Sequence, residues 1–330
     1  MPDPPNKARC DIGGTHEIYC CGSQVQISPN GIEVLTEPMV DHCPLHEALY
    51  GTKNIDGETV CKSVRMKVEG SGFCCRDRQF DPEPAVAYGA SEMMCVWLEK
   101  GLIDCAVTVC EGAGTVTATK GKLVQAIGAR LTGIIKTSPI SEVIDRIEAE
   151  GGMVLDKASA QIDQVEGLKR ALASGHKQIA VSVAGFQAQA ISEIRRIEAD
   201  TASDVLVFSV CNTCVRNTHL AHIAKADIVC ASASKILRKE IGKKALLQLG
   251  VTIPVYALTE KGKKLILAYL AEFRHNLVIF RTGRLPYRVK GKGPILKERN
   301  RSQKLQAPAS RIGGYNDNEE KSRIVARRKV

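Results

Sequence analysis

Aromatic side chains are scarce: they make up 4% of the 330 residues, and Trp97 is the single tryptophan. Surfaces on which bases could stack are correspondingly few, so a nucleic-acid partner is not expected. No apolar run approaches the roughly 20 residues that cross a bilayer. The longest, Leu102 to Cys110, already carries Asp104, which argues against a membrane partner. The opening Met1-Pro2-Asp3-Pro4-Pro5-Asn6-Lys7 lacks the apolar core of a secretory signal, and a cytoplasmic protein is expected. Also missing are a Ser-His-Asp order, a His-Glu-x-x-His motif and paired carboxylates in a glycine-rich setting, so hydrolytic chemistry is not indicated. No internal repeat of fixed period occurs.

Cysteine, in contrast, is abundant. Thirteen cysteines in a chain of this length, odd in number, do not describe a small secreted disulfide scaffold. At this density in a reducing compartment they are buried small hydrophobes, metal or cluster ligands, or redox thiols. The net charge of +10 is concentrated at one end. Residues Leu285 to Val330 hold thirteen Lys or Arg against four Asp or Glu, nearly the whole surplus. Prolines and the Gly313-Gly314 pair interrupt that stretch, which reads as a basic disordered tail able to dock on an acidic partner.

The pattern between these ends predicts an α/β protein. Residues 16 to 36 alternate around Pro29-Asn30-Gly31, suggesting two antiparallel strands. Val60, Cys61, Val64 and Val68 recur at helical spacing up to Gly70. After Pro82 and Pro84, strands and helices of about 10 to 15 residues alternate. Leu102 to Cys110 and Val205 to Val210 are continuous apolar runs of the kind found in buried strands. This rhythm predicts a mainly parallel sheet with helices on both faces, and function at the carboxyl ends of its strands. The expected organisation is a Cys-rich α+β region over residues 1–83, an α/β domain over 84–284 and the tail over 285–330.

Three places could carry chemistry. In Cys110-Glu111-Gly112-Ala113-Gly114-Thr115, which follows a strand, Gly112 and Gly114 would let backbone N–H groups approach a phosphate. The same residues also suit a tight turn with a buried thiol, and the loop matches neither a Walker loop nor a full dinucleotide fingerprint. Cys211-Asn212-Thr213-Cys214 places two thiols where they could share a metal or cluster, close as a redox pair, or simply shape a turn. His219 and His222 downstream could add ligands. In the N-terminal region His42-Cys43-Pro44-Leu45-His46 has metal-compatible spacing, with Cys74-Cys75 as further donors. Iron–sulfur or zinc at Cys211, Cys214, Cys43 and His42 is therefore one expectation. Flavin seated on Cys110, Glu111, Gly112, Gly114 and Thr115 is the alternative.

The stretch Gly101 to Val116 resembles the signature of the methanogenesis marker protein 8 family. So do Cys43-Pro44-Leu45, Gly151 to Asp156, Ile162 to Gly167 and Ile253 to Gly262, in register from about Gly31 to Leu270. The resemblance implies an anaerobic methane-metabolising archaeon and an accessory role, with methyl-coenzyme M reductase or its assembly proteins as partners. It carries no residue roles onto this chain. The strand–helix rhythm from Gly101 to Val183 is also similar to the beta subunit of deazaflavin-reducing hydrogenases, a family that implies flavin and an iron–sulfur cluster. A non-catalytic binding module is the remaining alternative.

Overall fold

The computed structural model describes residues 10–298. Eight strands form the central sheet, in the spatial order Leu247–Leu249, Val255–Ala257, Ile228–Cys230, Asp204–Val210, Gln178–Ala184, Cys105–Cys110, Gly114–Ala118, Met153–Val154. The four inner strands, from Ile228–Cys230 to Cys105–Cys110, run parallel, and every pairing outside them is antiparallel. The sheet is thus mixed, with a parallel centre. The expected parallel order stops at Cys110 because Gly112 and Gly114, both at positive φ, turn the chain straight back into a hairpin.

Alternation along the strands divides two cores. Ala106, Ala180, Leu206 and Phe208 face a layer that contains Met93, Trp97, Leu123, Ile144 and Ile266. Val107, Ile179, Val181, Val205 and Val207 face the opposite layer, built on Leu168, Ile191, Ile194 and Ile223. Burying each such aliphatic or aromatic side chain contributes about 1.5–3 kcal/mol, which is why these apolar runs become central strands rather than surface elements. Among the described residues no helix is long and apolar enough to cross a membrane.

A second, four-stranded sheet of order Gly31–Val34, Ser23–Ser28, His16–Cys20, Gly133–Lys136 sits beside a third apolar cluster of Ile18, Val25, Ile27, Val60, Val64 and Phe73. Three strands, not two, occupy the first part of it. The missed turn is Cys21-Gly22, where both residues have positive φ (52° and 81°). That is the pattern of a two-residue hairpin, which normally takes Asn or Gly at its first position; a cysteine there hides the signal. Helix Gly57–Ser71 packs on this sheet. Asp56 caps it by accepting the Thr59 N–H at 2.8 Å. Its stripe Val60, Val64, Val68 points inward, and Lys67, three residues after Val64, shares that face.

The basic end departs from expectation at its start. Ile295–Leu296 pairs antiparallel with Val40–His42, so the residues just after Leu285 are tied to the body. A two-residue strand has no periodicity to reveal it. The remainder of the predicted tail, residues 299–330, lies outside the described residues.

Candidate functional site

A cavity of about 670 Å3 opens over the carboxyl ends of the parallel strands, where Thr108, Ser182, Val210 and Cys230 form its floor. Its size falls within the usual range for small-molecule sites. The N-terminal region roofs it through the hairpin at Cys20-Cys21-Gly22 and the helices carrying His46 and Lys67. Six cysteines from five separate elements or turns line the walls: Cys20, Cys21, Cys43, Cys211, Cys214 and Cys230. All six are free thiols.

Local chemistry fixes each of them. Cys211 sits at φ 53°, directly after strand Asp204–Val210, and begins the short turn that carries Cys214. Buried Asn212 holds that turn: its backbone N–H donates to Ser232 Oγ at 3.0 Å, and its Nδ2 donates to the Cys230 carbonyl at 2.7 Å. Cys214 Sγ reaches back to the Gly22 carbonyl at 3.8 Å, so the Cys-x-x-Cys turn and the hairpin meet. Burial raises the Cys211 thiol to about 12 and the Cys214 thiol to about 11. Both are protonated at neutral pH and therefore poor nucleophiles.

Cys20 differs. The neighbouring Cys21 thiol outweighs burial, the Lys67 ammonium and the Ser63 hydroxyl add to the effect, and the Cys20 thiol is pulled below the ordinary thiol range. Cys21 is in turn pushed up by Cys20, and burial pushes the same way. Ser63 Oγ lies 3.8 Å from Cys20 Sγ. Burial by itself would lower the Lys67 amine, but Tyr50 and the Cys20 and Cys21 sulfurs more than offset this and raise it. The strained backbone at Cys21 and Cys211 costs about 1–2 kcal/mol at each, and strain of this kind concentrates at functional sites.

The predicted site residues separate accordingly. Cys43, Cys211 and Cys214 are brought to the cavity. His42 is not: its Nδ1 bonds the Lys53 carbonyl at 2.8 Å, on the strand that pairs with Ile295. The glycine loop does not form an open cradle. A Cβ on Gly114 would stand 2.2 Å from the Ala160 carbonyl oxygen. The Gly112 N–H donates to Thr137 Oγ1 at 2.7 Å, and Thr115 Oγ1 donates to Gln164 Oε1 at 2.8 Å. Cys110 is fully buried. This loop is a packed turn whose groups bond within the protein. Only Glu111 borders the cavity, and it is engaged by Arg78, Nε to Oε1 at 2.5 Å and Nη2 to Oε2 at 3.5 Å. His222 bonds Ser192 at 2.7 Å and His219 accepts from the Arg216 N–H at 3.3 Å; neither borders the cavity. Cys75 is in a disulfide with Cys10, with 6.1 Å between Cα atoms.

The sequence reading passed over Cys20, Cys21, Lys67 and Cys230. For Lys67 a signal exists: a lysine in register with the apolar stripe of an otherwise amphipathic helix. For Cys20 and Cys21 it is Cys-Cys-Gly at a hairpin position that favours Asn-Gly.

The soft donor set could suit a metal, and its geometry can be compared with what metals need. Tetrahedral thiolates around one zinc stand about 3.8 Å apart, given Zn–S bonds of about 2.3 Å. Among the described residues the one trio of possible ligand atoms within 4.8 Å of one another is Cys10, Cys75 and Asp77, which includes the disulfide. Among the described residues no three of the cavity thiols lie within 4.8 Å of one another.

Residues 16–271 match the family described as "Uncharacterized protein conserved in archaea (DUF2099)". An uncharacterized protein of Methanocaldococcus jannaschii is 36% identical over 255 residues, which covers 76% of this chain and 89% of that protein.

Proposed function

The chain belongs to the archaeal DUF2099 family, and we propose that it is a cytoplasmic, thiol-dependent accessory protein of archaeal methane metabolism, with Cys20 as its reacting group. The methane-metabolism part rests on the sequence resemblance to methanogenesis marker protein 8. The thiol part rests on a single observation: Cys20 lines the cavity together with Cys21 and the buried Lys67, and the Ser63 hydroxyl lies 3.8 Å from its sulfur. Nucleophilic cysteines are activated in this way, by a nearby cation and by hydrogen bonds to the sulfur.

The experiment is alkylation of anaerobically prepared protein with iodoacetamide, with each cysteine followed by peptide mass. Cys20 should react first, with a rate that reaches half its maximum below the ordinary thiol range. Cys211 and Cys214 should remain unmodified at that pH. A Cys20 no faster than these two at pH 7 would overturn the proposal.

A second reading follows from the number of thiols. Cys43, Cys211, Cys214 and Cys230 border one space, and separated sulfurs suit a polynuclear iron–sulfur group better than a single ion. Such a centre would serve assembly or activation of methyl-coenzyme M reductase. Iron, sulfide, zinc and flavin analysis of the same preparation tests it, and protein free of iron and sulfide overturns it.

A further inference from the structure

The cavity contains more positive charge than its own carboxylates can match. Lys67 is 8% exposed, and its ammonium makes one hydrogen bond to a protein oxygen, to Thr132 Oγ1 at 2.7 Å. The Tyr50 side chain also engages it, which leaves one of its three N–H donors without a protein partner among the described residues. Tyr50 contributes a ring face, 5.9 Å from Nζ to the centroid, which is a weak partner for a buried cation. Arg130, on the same wall two residues before Thr132, donates Nη2 to the Gln79 carbonyl at 2.8 Å, and its buried Nε has no partner. Glu111, the carboxylate that borders the cavity, is already taken up by Arg78.

His46 gives an independent pointer. It is 6% exposed and borders the cavity. Thr52 Oγ1 bonds its Nδ1 at 2.9 Å, while Nε2 is buried without a partner. Its ring stands against Tyr50 at 4.8 Å between centroids, so His46, Tyr50 and Lys67 form one group. Buried polar atoms that lack partners are uncommon and costly, and two of the five among the described residues, His46 Nε2 and Arg130 Nε, belong to residues that border this cavity.

We propose that this wall is the recognition site for a small organic anion, whose carboxylate, phosphate or sulfonate head binds Lys67 and His46 while its body reaches Cys20. The head takes the remaining N–H donor of Lys67 and an Nε2–H of His46, in the tautomer where the Thr52 hydroxyl donates to Nδ1. Arg130 completes the positive field further along the wall. The apolar lining of Val40, Leu49, Met94, Ile134 and Ile253 accommodates the carbon skeleton. This inference depends on the reading of Cys20 as the reacting thiol and adds the charge of what it meets.

The test compares two alkylating probes of nearly equal size, iodoacetate and neutral iodoacetamide, at the pH where Cys20 is ionised. In each case the thiolate forms the S–C bond and iodide leaves with the electron pair, so the ratio of rates reports the head group alone. The reference is the same ratio for Cys20 in urea-unfolded protein. In folded protein the ratio should favour iodoacetate by about tenfold over that reference, as expected for a fixed cation near the bound carboxylate. Lys67→Met should return it to the reference, and Lys67→Arg should retain it. Should Lys67→Met fail to fold, His46→Gln provides the second reading with a partial loss, and acetate should protect native Cys20 from iodoacetamide. A folded ratio equal to the unfolded one, or a preference unchanged in both the Lys67→Met and His46→Gln variants, overturns the anion site. A Cys20 unreactive toward both probes instead overturns the thiol reading beneath it.

Discussion

Replacing Glu111 with glutamine should separate a structural role for this residue from a ligand-binding one. The Arg78 and Glu111 side chains are 0% and 1% exposed, and the guanidinium also donates to the carbonyls of Gln79, Ala126 and Ile127. Glutamine keeps the shape and one acceptor oxygen but leaves the arginine charge without a counter-charge in dry surroundings. Breaking a buried pair in this way costs about 3–5 kcal/mol. At about 2–4 °C per kcal/mol for a chain somewhat smaller than this one, the melting temperature should fall by roughly 10 °C. Urea denaturation followed by circular dichroism measures the free energy directly. The exposed pair Lys169–Glu166, at 51% and 48% exposure, is the control, because Glu166→Gln should cost less than about 1 kcal/mol. The double variant Arg78→Met with Glu111→Leu should recover much of the loss by removing both charges. A Glu111→Gln variant as stable as the Glu166→Gln control would refute the reasoning and reopen Glu111 as a group held for a ligand.

Burial, reinforced by the Lys67 charge, lowers the His46 imidazole to about 4 from an ordinary value of 6.5. Between those pH values the unfolded chain binds more protons, so stability should rise with pH through this window, be fully present above 6.5 and be lost as pH falls through about 4. The full effect is about 3 kcal/mol. Denaturation midpoints across the window should flatten in His46→Gln, and an equally steep profile in that variant would remove His46 as the cause. Cys21→Asn should relieve the left-handed strain and gain up to about 1 kcal/mol. The same change removes the neighbouring thiol that lowers Cys20, so the alkylation midpoint of Cys20 should move upward; a profile unchanged in a more stable protein would contradict that influence.

Much of this molecule is determined by its sequence alone. The apolar runs ending at Cys110 and Val210, the helical stripes and the capped turns specify a layered α/β body, because burial of such runs leaves few alternatives. A cavity at the strand ends likewise follows from topology. What the sequence could not reveal is which distant residues face one another. Cys20 and Cys211 are 191 positions apart yet share a wall, and Gly133–Lys136 leaves the rhythm of the main sheet to pair with His16–Cys20. The local pattern of the glycine loop suits a phosphate cradle as well as a tight turn, and only the approach of residues 160–161 fills it. Lys67 gains its chemical interest from burial beside a thiol, a property of tertiary packing that no local pattern records.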